Sequence, residues 1–272
     1  MKKTILLFIA ASTISITMHA QKEVNYEKLY YKDLKVENSD VTISVNNAVS
    51  VAGETKFQLK IINKTADYII YKPQESKFII DGKEMSVVEK VKVIEPNDFR
   101  TIVINLKGTG YNKLKNYSFL VDGLYKVSAN TKGITAPDFK LPATTNDFKV
   151  GTFSCNLNKL YKESDKTEAK FKCSYNGDKV GFIFPSKTAV KMPDGNEYAN
   201  AKSKASAILL LKGESDTFTL KWDKMEGGRK MDMQKVDMFI KWNDAFTEVD
   251  PEKMKSETIN IEFDEATSNA KK

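Results

Sequence analysis

The sequence predicts an all-β protein of two tandem antiparallel sandwiches, and three observations carry that expectation. Apolar residues alternate with polar ones through most of the chain. Turn residues interrupt the alternation at short intervals. The whole pattern then occurs a second time. Stretches such as "DVTISV", "KFQLKII", "RTIVINL", "DTFTLKW" and "TINIEF" place an apolar side chain at every second position, the period of a strand with one face buried. Between such stretches stand Asp81-Gly82, Gly108-Thr109-Gly110, Asn176-Gly177, Asp194-Gly195 and Gly227-Gly228, which favour hairpin and loop conformations. Many short strands at this spacing make a sandwich or a barrel.

The repeat decides between one large sheet structure and two smaller ones. "KDLKVENSDVTISV" from Lys32 is echoed by "NDFKVGTFSC" from Asn146, and "KFQLKIINKTADYIIYKP" from Lys56 by "KFKCSYNGDKVGFIFP" from Lys170. The agreement continues with "DGKEM" at Asp81 and "DGNEY" at Asp194, then "PNDFRTIVINL" and "ESDTFTLKW". Late in each half come "DGLYKV" and "VDMFIKW", followed by "PDFKL" and "INIEF". Each unit is roughly 110 to 125 residues, an ordinary domain size, with about seven strands in a sandwich of this kind. The boundary falls in "LPATTNDF", where Pro142 has no amide to give a sheet. The expected domains are residues 22–143 and 146–264, with residues 265–272, "EATSNAKK", a polar disordered tail. The segment "QKEVNYEKLYYKDL" from Gln21 reads equally as a leading strand or a short helix.

Residues 1–20 have the pattern of a secretory signal peptide. Lys2 and Lys3 precede an apolar run from Ile5 to about Ile16, and Ala20 stands before Gln21. The run is too short for a membrane span, and no later run approaches the roughly 20 apolar residues that one needs. Stable membrane insertion is not expected, and the product belongs in the periplasm or outside the cell. Cleavage would also remove His19, the only histidine. Ser-His-Asp and Cys-His nucleophiles, histidine acid–base catalysis and most zinc or copper sites would go with it. No cofactor or metal is expected, although carboxylate, lysine or tyrosine chemistry stays open.

The formal net charge of +7 comes from 43 basic and 36 acidic residues. The excess is spread along the chain and lacks the basic stripe with interleaved aromatics that nucleic acid requires, so no nucleic-acid partner is expected.

The segments "IINKTADYIIYKPQESKFIIDGKEM" and "SYNGDKVGFIFPSKTAVKMPDGNEY" each run strand, polar turn, strand, then Asp-Gly ahead of further strand. They resemble the immunoglobulin-like sandwich domains of uncharacterised secreted bacterial proteins. The resemblance implies the fold and an extracytoplasmic setting, and it brings no catalytic residues with it.

Four features are candidate sites. Cys155 and Cys173 are the only cysteines, and the repeat sets them level with Val45 and Leu59. With no Cys-x-x-Cys spacing and no second pair, metal or redox chemistry is disfavoured. Two buried thiols or one disulfide remain, and an oxidising compartment favours the disulfide. Closing that loop stabilises the second unit by about 3 kcal/mol in the chain-entropy picture. Trp222 and Trp242 could be platforms for sugar rings, but Phe218, Leu220 and Trp222 share a strand face, as do Met238, Ile240 and Trp242, which favours the core. Asp232, Asp237, Asp244 and Glu248 match no calcium-loop spacing. The segment "KMEGGRKMDMQK", residues 224–235, is longer and more charged than a tight turn needs. Its Met225, Arg229, Lys230, Met231 and Met233 form a candidate contact loop, with a mobile solvated loop as the plainer reading.

The expected function is therefore an exported, non-enzymatic binding or structural protein that presents two sandwiches to an envelope protein or glycan. The alternatives are a periplasmic chaperone-like protein acting by strand addition, with an exposed edge strand and a basic cleft between its domains, and an enzyme at the domain junction. Mass spectrometry of the unreduced protein should find residues 155 and 173 linked to each other. Two alkylatable thiols would contradict the disulfide.

Overall fold

A computed structural model of the protein describes residues 25–202, 204–223 and 232–271. In the first half the strands are β1 (Leu29–Tyr30), β2 (Leu34–Glu37), β3 (Val41–Val51), β4 (Glu54–Asn63), β5 (Tyr68–Tyr71), β6 (Lys77–Ile80), β7 (Lys83–Ser86), β8 (Lys92–Ile94), β9 (Phe99–Lys107), β10 (Asn116–Val121), β11 (Leu124–Val127) and β12 (Phe139–Leu141). The second half holds β13 (Asp147–Val150), β14 (Phe153–Lys162), β15 (Lys166–Tyr175), β16 (Val180–Ile183), β17 (Ala189–Lys191), β18 (Glu197–Ala199), β19 (Ile208–Leu210), β20 (Ser215–Asp223), β21 (Met238–Lys241), β22 (Phe246–Val249), β23 (Glu252–Lys253) and β24 (Glu257–Glu262). A short helix α1 (Glu265–Ala270) follows. The expected all-β antiparallel sandwich fold is what forms.

The order of strands in the sheets repeats. β2-β3-β4-β9, with β1 also on β3, corresponds to β13-β14-β15-β20. β24-β10-β6-β7 corresponds to β12-β21-β17-β18, and β23-β11-β5-β8 to β19-β16-β22. The register of the first hairpin repeats as well, because Val45 faces Leu59 across β3 and β4 as Cys155 faces Cys173 across β14 and β15. Asp81 and Gly82 turn β6 into β7 with φ of 50° and 75°. Positive φ at both central residues gives the twist that a two-residue hairpin needs, and Asp-Gly adopts it at little cost.

Alternation turns into two cores. In the first, Phe57 of β4 meets Phe119 and Phe78 with ring centroids 4.9 and 5.7 Å apart. In the second, Phe171 of β15 meets Phe139, Trp242 and Phe218 at 5.4 to 5.6 Å. Trp222 and Trp242 are buried there, as their strand faces predict. A third apolar cluster joins the halves, with Tyr68, Ile70 and Val127 from one and Val180, Phe182 and Val249 from the other. Tyr68 and Phe182 are 5.1 Å apart at its centre. β5 and β16 are therefore buried on both faces, and their sequences, "YIIY" and "VGFI", carry no polar alternation.

The last strand of each repeat does not close its own core. β24 pairs with β10 over six residues, from Asn116 opposite Glu262 to Val121 opposite Glu257. It buries Ile259 and Ile261 in the first core. β12 pairs with β21, Phe139 opposite Ile240, and buries Phe139 and Leu141 in the second. Equivalent hydrogen bonds lead into both strands: Met254 N–H donates to the Leu124 carbonyl at 2.8 Å, and Ile134 N–H to the Phe246 carbonyl at 2.7 Å. A cut between residues 143 and 146 thus does not separate the two cores, which corrects the expected boundaries. Alternation fixes which face of a strand is apolar, not which neighbour it pairs with.

The end of the chain also differs from the disordered tail the sequence suggests. Asp264 caps α1 by accepting from Thr267 N–H at 2.9 Å and from its hydroxyl at 2.7 Å. The Ser268 hydroxyl is buried and accepts from Tyr30 N–H at 2.9 Å, tying the helix to β1. Residues 1–20 lie outside the described residues.

Truncating a buried isoleucine costs about 2–5 kcal/mol. Ile261→Ala should therefore lower stability by that amount, with loss of amide protection in β6 and β10 of the first half. A loss confined to the second half would contradict the exchanged pairing.

Candidate functional site

Cys155 and Cys173 form a disulfide between directly opposed residues of β14 and β15, with Cα atoms 4.1 Å apart. Both side chains are buried in the second core. They fill the places that Val45 and Leu59 fill in the first, so the pair is a cross-strand staple within the core. Of the candidate contact loop, Met225, Arg229, Lys230 and Met231 lie outside the described residues. Met233 is only 2% exposed and packs in the second core. Its amide donates to the Ser164 carbonyl at 3.0 Å, and its buried side chain offers no contact surface.

Ionisable groups converge where the exchanged segment enters the first half. The Tyr125 hydroxyl donates to the Glu75 carboxylate, 2.9 and 2.8 Å from its two oxygens. Lys253 Nζ bridges Glu75 and Asp122, 3.1 Å from each. Lys72 Nζ sits 4.4 Å from the Tyr125 ring centroid. The Ser76 hydroxyl links this group to the core, donating to the Asp122 carbonyl at 2.9 Å and lying 2.8 Å from the Tyr71 hydroxyl. Burial, and then the hydrogen bond to Glu75, raises the Tyr125 phenol above its usual value. Hydrogen bonds to Asp122 and Glu75 raise the Lys253 ammonium. Both shifts hold the group in its protonated form. A lysine or tyrosine serving as base or nucleophile needs the opposite shift. The cluster is a latch on β23. The second half has Lys187 at the place of Glu75, and its ammonium lies over the Phe184 ring at 4.3 Å.

A shallow groove of about 530 Å³ crosses the outer face of β6, β10 and β24, lined by Ile79, Asp81, Asn116, Ser118, Asn260 and Glu262 among others. Ser118 and Asn260 hydrogen-bond each other at 2.8 Å across it. Tyr117, the one aromatic residue of its lining, is buried, with its ring packed 5.2 Å from Tyr31 and 6.0 Å from Phe78, and it offers no open ring face.

The edge of the first sheet is of another kind. β9 pairs with β4 along its full nine residues, from Glu54 opposite Lys107 to Ile62 opposite Phe99. Among the described residues it has no other strand partner. Ile102 and Ile104 point into the core, while Phe99 and Val103 are 48% and 52% exposed. Lys60 Nζ lies 4.3 Å from the Phe99 ring centroid. The equivalent strand β20 is guarded. Asp216 and Asp223 stand exposed on it, Ala201 N–H donates to the Lys221 carbonyl at 2.8 Å, and Lys221 N–H donates to the Asn200 side chain at 3.0 Å. Matching Leu59 to Cys173 and following the pairings puts Gly213 and Thr217 where β9 has Phe99 and Val103. Charges and covering segments are the usual protection of a free strand edge; β9 carries exposed Arg100 and Lys107, but among the described residues no neighbouring segment hydrogen-bonds to its open side as Asn200 and Ala201 do on β20. The sequence showed the alternation of "RTIVINL", but an edge position is a property of the sheet.

The chain matches no known family model and no curated protein. What the structure defines is a class: an all-β protein of two main cores, with a nine-residue sheet edge at β9 that has no second strand partner among the described residues.

The latch sets a pH dependence. Tyr125 and Lys253 are raised on folding, so their contribution is complete below the unfolded values, about 10 for tyrosine and 10.4 for lysine. It is lost as pH climbs through the higher folded values. As pH rises above about 10, Tm should fall more steeply for the native chain than for Tyr125→Phe/Lys253→Gln. Parallel curves would show that the latch contributes nothing.

Proposed function

We propose that the protein is an exported, non-enzymatic binding protein of the bacterial envelope that takes up an extended segment of a partner protein by strand addition along β9. The observation that carries this reading is the nine-residue edge with exposed Phe99 and Val103, beside an equivalent edge in β20 that Asn200 and Ala201 cover. In strand addition the free backbone groups of an edge give affinity, and the side chains alternating along it give specificity. Among the described residues neither Lys60 nor Lys107, near the two ends of β9, has a salt-bridge partner. They favour a segment with an apolar centre and acidic flanks.

Export is supported by the signal-like residues 1–20 and by the Cys155–Cys173 disulfide, which suits an oxidising compartment. The resemblance to immunoglobulin-like sandwiches of secreted proteins points the same way. A protein partner is favoured over a glycan because the polar groove on β10 and β24 has no open aromatic face for a sugar ring. A chaperone that works from a basic cleft between its sandwiches fits less well, since Tyr68, Ile70, Phe182 and their neighbours fill the space between the halves. The upward shifts of Tyr125 and Lys253 leave that cluster unsuited to base or nucleophile chemistry.

Fluorescence anisotropy with strand-forming peptides of apolar centre and acidic ends tests the proposal. Phe99→Lys/Val103→Lys should weaken binding at least about tenfold, or about 1.4 kcal/mol, with an unchanged circular dichroism spectrum. Equal binding by the native and substituted chains, or none by either, would refute it.

A further inference from the structure

We propose that the segment from residue 252 to 271 exchanges between two copies of the chain, giving a dimer in which each first core is closed by the β23, β24 and α1 of the other copy. Four observations lead there. The segment's strand partners are all in the first half: β23 on β11, β24 on β10, with Tyr31 bridging Phe263. Its covalent tie to the second half is the two-residue link Asp250-Pro251 after β22. Proline cannot extend β22 as a paired strand, so the chain leaves one sheet and enters another at that point.

The halves already show what such an exchange looks like. β12 and β24 occupy equivalent places, and each completes the other half's sheet with equivalent lead-in hydrogen bonds from Ile134 and Met254. Two identical copies exchanging a terminal strand would make the same pair of contacts. A second copy is therefore the partner that the β10 edge fits, since it carries Ile259 and Ile261 in the right register and Lys253 for Glu75 and Asp122. Lastly, the ion pairs that hold the segment, Lys253 with Glu75 and Asp122 and Lys32 with Glu262, lie at the surface. Such pairs resist opening only weakly. Closed and exchanged forms share the pairings of β23 with β11 and of β24 with β10, so mass action divides them. A tethered segment has an effective concentration on the order of mM. Exchange should grow with protein concentration and during refolding, when the segment is free to choose.

Ser118 and Asn260 are Cα partners on the outer face of β10 and β24, which gives a direct trap. One copy with Ser118→Cys and another with Asn260→Cys are refolded together at concentrations up to about 1 mM and then oxidised. A heterodimer linked between positions 118 and 260 is expected, its fraction rising with concentration. The double variant at low concentration should link within one chain. Absence of the heterodimer at the highest concentration, when the double variant does link, overturns the proposal. The native mass of the unsubstituted chain refolded at the same concentration decides independently: dimer is expected, and monomer alone overturns it.

Discussion

Each of the two cores is closed by a strand that the other half of the chain supplies, and most of the architecture follows from that constraint. Ile259 and Ile261 complete the apolar layer under Phe57 and Phe119, while Phe139 and Leu141 do the same over Phe171. Full burial of a side chain of this size contributes about 1.5–3 kcal/mol. Without the exchange, each sandwich would lose that contribution and expose an unpaired edge. The central cluster around Tyr68 and Phe182 adds contact, but the crossing strands make the halves interdependent. The latch of Glu75, Asp122, Tyr125 and Lys253 fits this picture, since it stands where the returning chain enters the first half.

The same constraint selects the surface left for binding. Exchange covers one edge of the β10 sheet and one edge of the β21 sheet. Asn200, Ala201, Asp216 and Asp223 guard β20. β9 is then the long edge with apolar side chains outward, and it bears the functional proposal. The disulfide belongs to stability. Cys155 and Cys173 do covalently what Val45 and Leu59 do by packing, at one register position of a repeated hairpin.

Much of this was legible in the sequence. Alternation placed Phe218, Leu220 and Trp222 in the core, and the repeat set the cysteines level with Val45 and Leu59. Partner choice was not legible. "PDFKL" and "INIEF" read as last strands of their own repeats, because side-chain period carries no record of which sheet a strand joins. The Asp264 cap was written in the chain as Asp-x-x-Thr, but the polar composition of "EATSNAKK" masked it. Met233 looked like part of a surface loop because the segment around it is charged, and it is buried by packing in the second core among residues far away in sequence. The open edge at β9 was hidden for the reason that hid the exchange, since both are facts of neighbours and not of residues.

Native-state hydrogen exchange along a denaturant series tests the interdependence of the cores most directly. The slowest amides around Phe57 and Phe119 in the first core and around Phe171 and Phe246 in the second should merge onto one unfolding isotherm, with the same free energy and the same denaturant slope. Two separate isotherms, one for each core, would contradict an architecture in which neither half is complete without the other.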